Sequence, residues 1–75
     1  MYLTEEDLNK QTTFRKYKDG FWYDAHFEFV IRFNFGVPSL SHHCEVEGHT
    51  WFIKYPKSLD DLKKVYEAIT DLEFK

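Results

Sequence analysis

Cysteine occurs once in this chain, at Cys44, so no internal disulfide can staple the fold, and the disulfide-dense class of small secreted domains is excluded. A reducing, cytoplasmic setting is expected. Glycine occurs three times and proline twice in 75 residues, too little for a flexible linker or a low-complexity tract. Long apolar runs are missing, and the opening residues Glu5, Glu6 and Asp7 are acidic. Neither a membrane span nor a basic signal segment is therefore expected. Charge of one sign is also scarce. Ten basic and 13 acidic side chains leave a net charge of −3, too mild for phosphate-backbone binding to supply the main affinity.

What the chain has in excess is aromatic side chains: eight Phe, five Tyr and two Trp. A chain this short buries only about 60% of its unfolded surface, so a stable core must be dense. Each well-buried aromatic or aliphatic side chain supplies roughly 1.5–3 kcal/mol toward it. One domain, residues 1–75, is expected.

From Phe21 to Phe35 every odd-numbered residue is apolar, while the even row holds Asp24, His26, Glu28, Arg32 and Asn34, interrupted by Trp22 and Val30. That period of two predicts one long strand, with its odd row in the core and its even row in water. Asp19-Gly20 predicts a two-residue hairpin turn between this strand and one over Thr12 to Lys18. The implied register sets Arg15 opposite Asp24, Tyr17 opposite Trp22 and Phe14 opposite Ala25. Gly36 and Pro38 are expected to stop the ladder, making Phe35 to Ser41 a connection.

A second hairpin is expected from His42 to Val46 and His49 to Tyr55, turning at Glu47-Gly48. It would place Cys44, Val46, Trp51, Ile53 and Tyr55 inward, and His43, Glu45, Thr50, Phe52 and Lys54 outward. The hairpins would join with Arg32 facing Glu45, Phe33 facing Cys44 and Ile31 facing Val46. Thr4 with Asp7 resembles a capping box opening a short helix over Glu5 to Lys10, and Ser58 with Asp61 caps a C-terminal helix. Leu59, Leu62, Val65, Tyr66, Ile69 and Leu72 form that helix's apolar stripe. The expected fold class is α+β: a four-stranded antiparallel sheet of two hairpins, a C-terminal helix on one face and a short N-terminal helix.

His42, His43, Cys44 and His49 are the residues of metal-ligand type closest in sequence. On the expected hairpin they are strung out or point apart, so no metal is expected. Cys44 with a histidine, or the row Asp24, His26 and Glu28, has the side chains for nucleophilic or acid/base work, yet Cys44 has no Gly-rich loop or helix N-terminus beside it for an oxyanion, and any solvated strand carries adjacent polar residues like that row. No cofactor is expected. Gly48-His49-Thr50-Trp51 resembles a four-residue stretch of pterin-synthase-like enzymes, without the spaced histidines that complete that family's zinc site. The helix-strands-helix order is similar in outline to a double-stranded-RNA-binding domain, but the last helix opens with Leu59-Asp60-Asp61 where that family carries basic residues.

Tyr17, Trp22, Val30 and Phe52, with Arg32 beside them, break the otherwise polar outer face. Aromatics next to arginine are what protein-binding surfaces are enriched in. The expectation is a small non-enzymatic module binding another protein, an inhibitor or regulator of the kind encoded by phages and mobile elements, with a homodimer as a variant. Two alternatives remain open. Single-stranded nucleic acid would stack on Tyr17, Trp22 and Phe52 near Arg15 and Arg32, and a small metal- or cysteine/histidine-dependent enzyme would use the groups named above.

Overall fold

The structure is a computed structural model that describes residues 1–24, 29–44 and 46–75, with Cys44 described by its backbone alone. It is an α+β fold in the order α1 (Glu5–Leu8), β1 (Arg15–Lys18), β2 (Phe21–Asp24), β3 (Phe29–Asn34), β4 (Val37–Cys44), β5 (His49–Lys54) and α2 (Leu59–Thr70). Five strands, one more than expected, form an antiparallel meander in which each strand lies beside its predecessor.

Both helices begin where their caps predict. Thr4 Oγ1 accepts from the Asp7 amide, and the Asp7 carboxylate accepts from the Thr4 amide, each at 3.1 Å, closing a capping box around α1. Ser58 Oγ accepts from the Asp61 amide at 3.0 Å to start α2. The Asp61 carboxylate also accepts from Lys54 Nζ at 2.7 Å, which ties the helix to β5 and holds that carboxyl below the usual range.

The extra strand comes from the alternating stretch. Phe21 to Phe35 is not one strand: β2 and β3 pair with each other, setting Trp22 opposite Ile31 and Asp24 opposite Phe29. Residues facing each other across this pair have opposite parity, so an apolar odd row lines the core in β3 and faces away from it in β2. Trp22 and Asp24, expected outside, are both 4% exposed and inward. Ala25, His26, Phe27 and Glu28, together with the readings made for them, lie outside the described residues.

Phe35-Gly36, with φ of 52° and 78°, makes the next turn, so Val37 to Ser41 is strand and not connection. Pro38 is tolerated there because it pairs with Phe33 two residues from the turn, at a non-hydrogen-bonded position of a two-residue hairpin. Its nitrogen faces the β5 side beyond the last pair, Leu40 with Lys54, where no ladder donor is needed. The β3–β4 register accordingly sets Arg32 opposite Ser39, Phe33 opposite Pro38 and Ile31 opposite Leu40, in place of Glu45, Cys44 and Val46.

At the first hairpin Asp19-Gly20 turns as expected, with Lys18 opposite Phe21. Then Tyr17 bulges, its ring packing 5.2 Å from Phe21 and 6.4 Å from Tyr23. The bulge moves Lys16 opposite Trp22 and Arg15 opposite Tyr23, so the expected pairs of Arg15 with Asp24 and Tyr17 with Trp22 do not form. In the last hairpin His42 faces Trp51 and the Cys44 backbone faces His49, two residues from the expected register. An even slip preserves the faces. Burial does not follow, since Val46, Trp51 and Tyr55 are exposed near the sheet's far edge.

Two rows of paired residues therefore look toward the helices: Trp22, Ile31, Leu40 and then Asp24, Phe29, His42, Trp51. Leu3, Leu8, Phe14, Leu62, Tyr66 and Phe74 close over them as one apolar cluster. Glu5 fastens α1 to the sheet, its Oε1 accepting from Trp22 Nε1 at 2.7 Å and from the Gly20 amide at 2.9 Å. Tyr66 sits in the same core. Burial first, and the neighbouring Asp24 carboxylate next, push its phenol up to about 12. The end of the chain is stitched in as well: the Thr12 amide donates to the Lys75 carbonyl at 2.8 Å, and the Lys75 amide to Thr13 Oγ1 at 2.7 Å. No helix among the described residues is long and apolar enough to cross a membrane.

Candidate functional site

With both helices on one side, the other side of the sheet is left without a covering element among the described residues. Strand pairing writes its surface as two rows. One crosses all five strands, from Arg15 through Tyr23, Val30 and Ser41 to Phe52; the other runs from Lys18 through Phe21 and Arg32 to Ser39. His43 and Thr50 form a further pair on the same face, with His43 Nδ1 and Thr50 Oγ1 2.9 Å apart.

Between these rows lies a shallow groove of about 390 Å³, lined by Phe21, Val30, Arg32, Ser41, His43 and Thr50. Its floor is apolar, and its polar groups are two hydroxyls, an imidazole and a guanidinium. The Arg32 guanidinium lies 4.7 Å above the Phe21 ring, a cation–π contact that orients the charge. The groove is flanked by rings open to solvent: Tyr17 on β1 is 68% exposed and Phe52 on β5 is 55% exposed, the latter 4.7 Å from Tyr55.

Of the residues expected to bind a partner, Tyr17, Val30, Arg32 and Phe52 share this face. Trp22 does not: it is a core side chain clamped by Glu5, because the hairpin reversal puts it on the same side as Ile31. Phe21 and Tyr23 take its place on the open face, although alternation alone assigned them to the core. The missed signal was the reversal itself.

Phe35 was also missed. It stands at the β3–β4 turn with its side chain fully in solvent, 105% exposed, and with a left-handed φ that a bulky residue adopts only at a cost. A large apolar residue directly before Gly36, where Asn or Asp would suit the turn, is the sequence signal that could have found it.

The histidines do not converge. His42 packs between Phe29 and Trp51 on the helix side, His43 points to the open face, and His49 lies beside Trp51 at the sheet edge. Among the described residues no three His, Cys, Asp or Glu side chains could hold a metal ion together. Asp24 lies in the core, and His26, Glu28 and the Cys44 side chain lie outside the described residues. Compared with known proteins, the chain matches no family model, no curated sequence and no solved structure.

Proposed function

We propose that this chain is a small non-enzymatic module that binds another protein through the open face of its sheet, as an inhibitor or regulator. The observation that carries the reading is the one-sided placement of the helices, which leaves Tyr17, Phe21, Tyr23, Val30, Arg32 and Phe52 on an uncovered surface. A chain of 75 residues needs every large apolar side chain it can bury, and leaving Tyr17 and Phe52 exposed beside the half-buried Phe21, Tyr23 and Val30 offers folding no return. Aromatic residues and arginine are also the types on which binding energy concentrates at protein interfaces. Phe35 adds a protruding ring at one end of the face, held in a backbone conformation that disfavours it.

Affinity capture from the native host lysate, with identification of the retained protein, tests the reading. Tyr17→Ala and Phe52→Ala, both exposed, should keep the parent's melting temperature and lose the captured partner. Lys63→Ala, on the exposed side of α2, should lose neither. Retention of the partner by both aromatic variants would sink the proposal, as would salt-sensitive retention on single-stranded nucleic acid with no protein captured.

A further inference from the structure

We infer that the groove centred on Arg32 takes a carboxylate from an acidic segment of the partner protein, an inference that rests on the protein-binding reading above. The chain as a whole is acidic, yet its charges are segregated. Among the described residues the carboxylates lie on α1, on α2 and the segment after it, at turns, and in the core, and none belongs to the paired rows of the open face. The cations of that face are Arg15, Lys18 and Arg32. Lys10, Lys16, Lys54 and Lys64 are each held in an ion pair, whereas these three, like Lys57, Lys63 and Lys75 elsewhere, have no carboxylate within pairing distance among the described residues.

Arg32 is the best placed of the three. Stacking on Phe21 restrains its side chain before any ligand arrives, so less rotamer freedom is lost on binding. A guanidinium presents its donors as a planar fork that matches the two oxygens of a carboxylate. Ser41 and Thr50, lining the same groove, add hydroxyl donors, and Phe21 with Val30 forms an apolar wall for the methylenes or the apolar neighbour of an Asp or Glu.

A nucleic-acid strand fits the same face less well. Base stacking needs free ring faces, but one face of Phe21 is covered by Arg32 and Phe52 already packs on Tyr55. Three cations on a chain of net charge −3 would also neutralise few phosphates.

The test is a titration of the isotope-labelled full chain, followed by amide chemical shifts, with the peptide Glu-Glu-Phe-Glu-Glu. Its neutral counterpart Gln-Gln-Phe-Gln-Gln and an oligothymidylate are the comparison probes. Saturable shifts at Val30, Arg32, Ser41, His43 and Thr50 are expected with the acidic peptide, with affinity at least about tenfold lower for the neutral one, as for loss of a charged partner. Arg32→Gln should cost a similar factor, while Lys64→Gln on α2 should cost nothing. Equal binding of the acidic and neutral peptides at these amides would overturn the carboxylate inference and leave the protein-binding reading standing. Tighter binding of oligothymidylate than of the acidic peptide, or no saturable shift with any probe, would also overturn it. The protein-binding reading falls separately, if Tyr17→Ala and Phe52→Ala keep the captured partner or if single-stranded nucleic acid is retained with no protein captured.

Discussion

Trp22 separates two accounts of this protein, because a surface anchor and a core clamp respond to truncation in opposite ways. The side chain is buried between α1 and the sheet, and its indole N–H donates to the Glu5 carboxylate at 2.7 Å. Replacing a buried Trp by Ala costs about 3–5 kcal/mol in lost burial and cavity, and the hydrogen bond to a charged acceptor adds roughly 1.5–3 kcal/mol. A 75-residue domain at about 0.05–0.15 kcal/mol per residue has only about 4–11 kcal/mol in total. Trp22→Ala should therefore remove most of that margin. Trp22→Phe keeps most of the packing and removes the donor, so its loss should be about 2 kcal/mol. Glu5→Gln keeps an acceptor without the charge and should lose about 1 kcal/mol. Urea denaturation followed by far-ultraviolet circular dichroism reads all three, with Trp51 as the remaining fluorescent reporter in both Trp22 variants. If Trp22→Ala stayed within about 1 kcal/mol of the parent, the burial argument and the hairpin parity behind it would both be wrong.

Tyr66 supplies an alkaline signature. Its folded pKa lies above the ordinary 10.0, so its contribution is complete below pH 10 and is lost as pH rises toward about 12, amounting to about 3 kcal/mol. Tyr66→Phe should melt lower than the parent at neutral pH yet lose less stability between pH 10 and 12, and identical slopes for the two proteins would refute this. Phe35→Asn should raise stability by about 1 kcal/mol, since the left-handed backbone suits Asn and the exposed ring loses no packing. A lower melting temperature would show that the ring makes contacts that its exposure denies.

Local chemistry was legible wherever a short stretch contains its own reason. Thr4 with Asp7, Ser58 with Asp61 and Asp19-Gly20 act over two to four residues, and all three form the expected caps or turn. What alternation cannot encode is a reversal of direction. A stretch with period two looks alike whether it continues or folds back, and the row from Phe21 to Phe35 carries two strands whose inward parity differs. Registers failed for a related reason. The bulge at Tyr17 comes with contacts to Phe21 and Tyr23 that exist only after pairing, and Pro38 reads as a breaker until the end of β5 shows that its missing donor has no acceptor to meet. At the site, Tyr17, Val30 and Phe52 were legible as breaks in a polar row, with Arg32 beside them. Phe21 and Tyr23 were hidden by the same parity error that misplaced Trp22.

The meander order governs the timing of assembly. Each strand finds its partner in the segment made just before it, so the hairpins can zip in sequence, on the microsecond scale of about 1–10 μs per hairpin. The apolar rows of that sheet, by contrast, wait for α2 and Phe74, and for Lys75 to reach back to Thr12 and Thr13. Until α2 docks, the helix-side face of the sheet is covered by α1 and the segment leading to β1 alone. A chain interrupted before α2 would offer Phe29 and Leu40, which lie against Val65 and Tyr66 of that helix, to whatever apolar surface it met first.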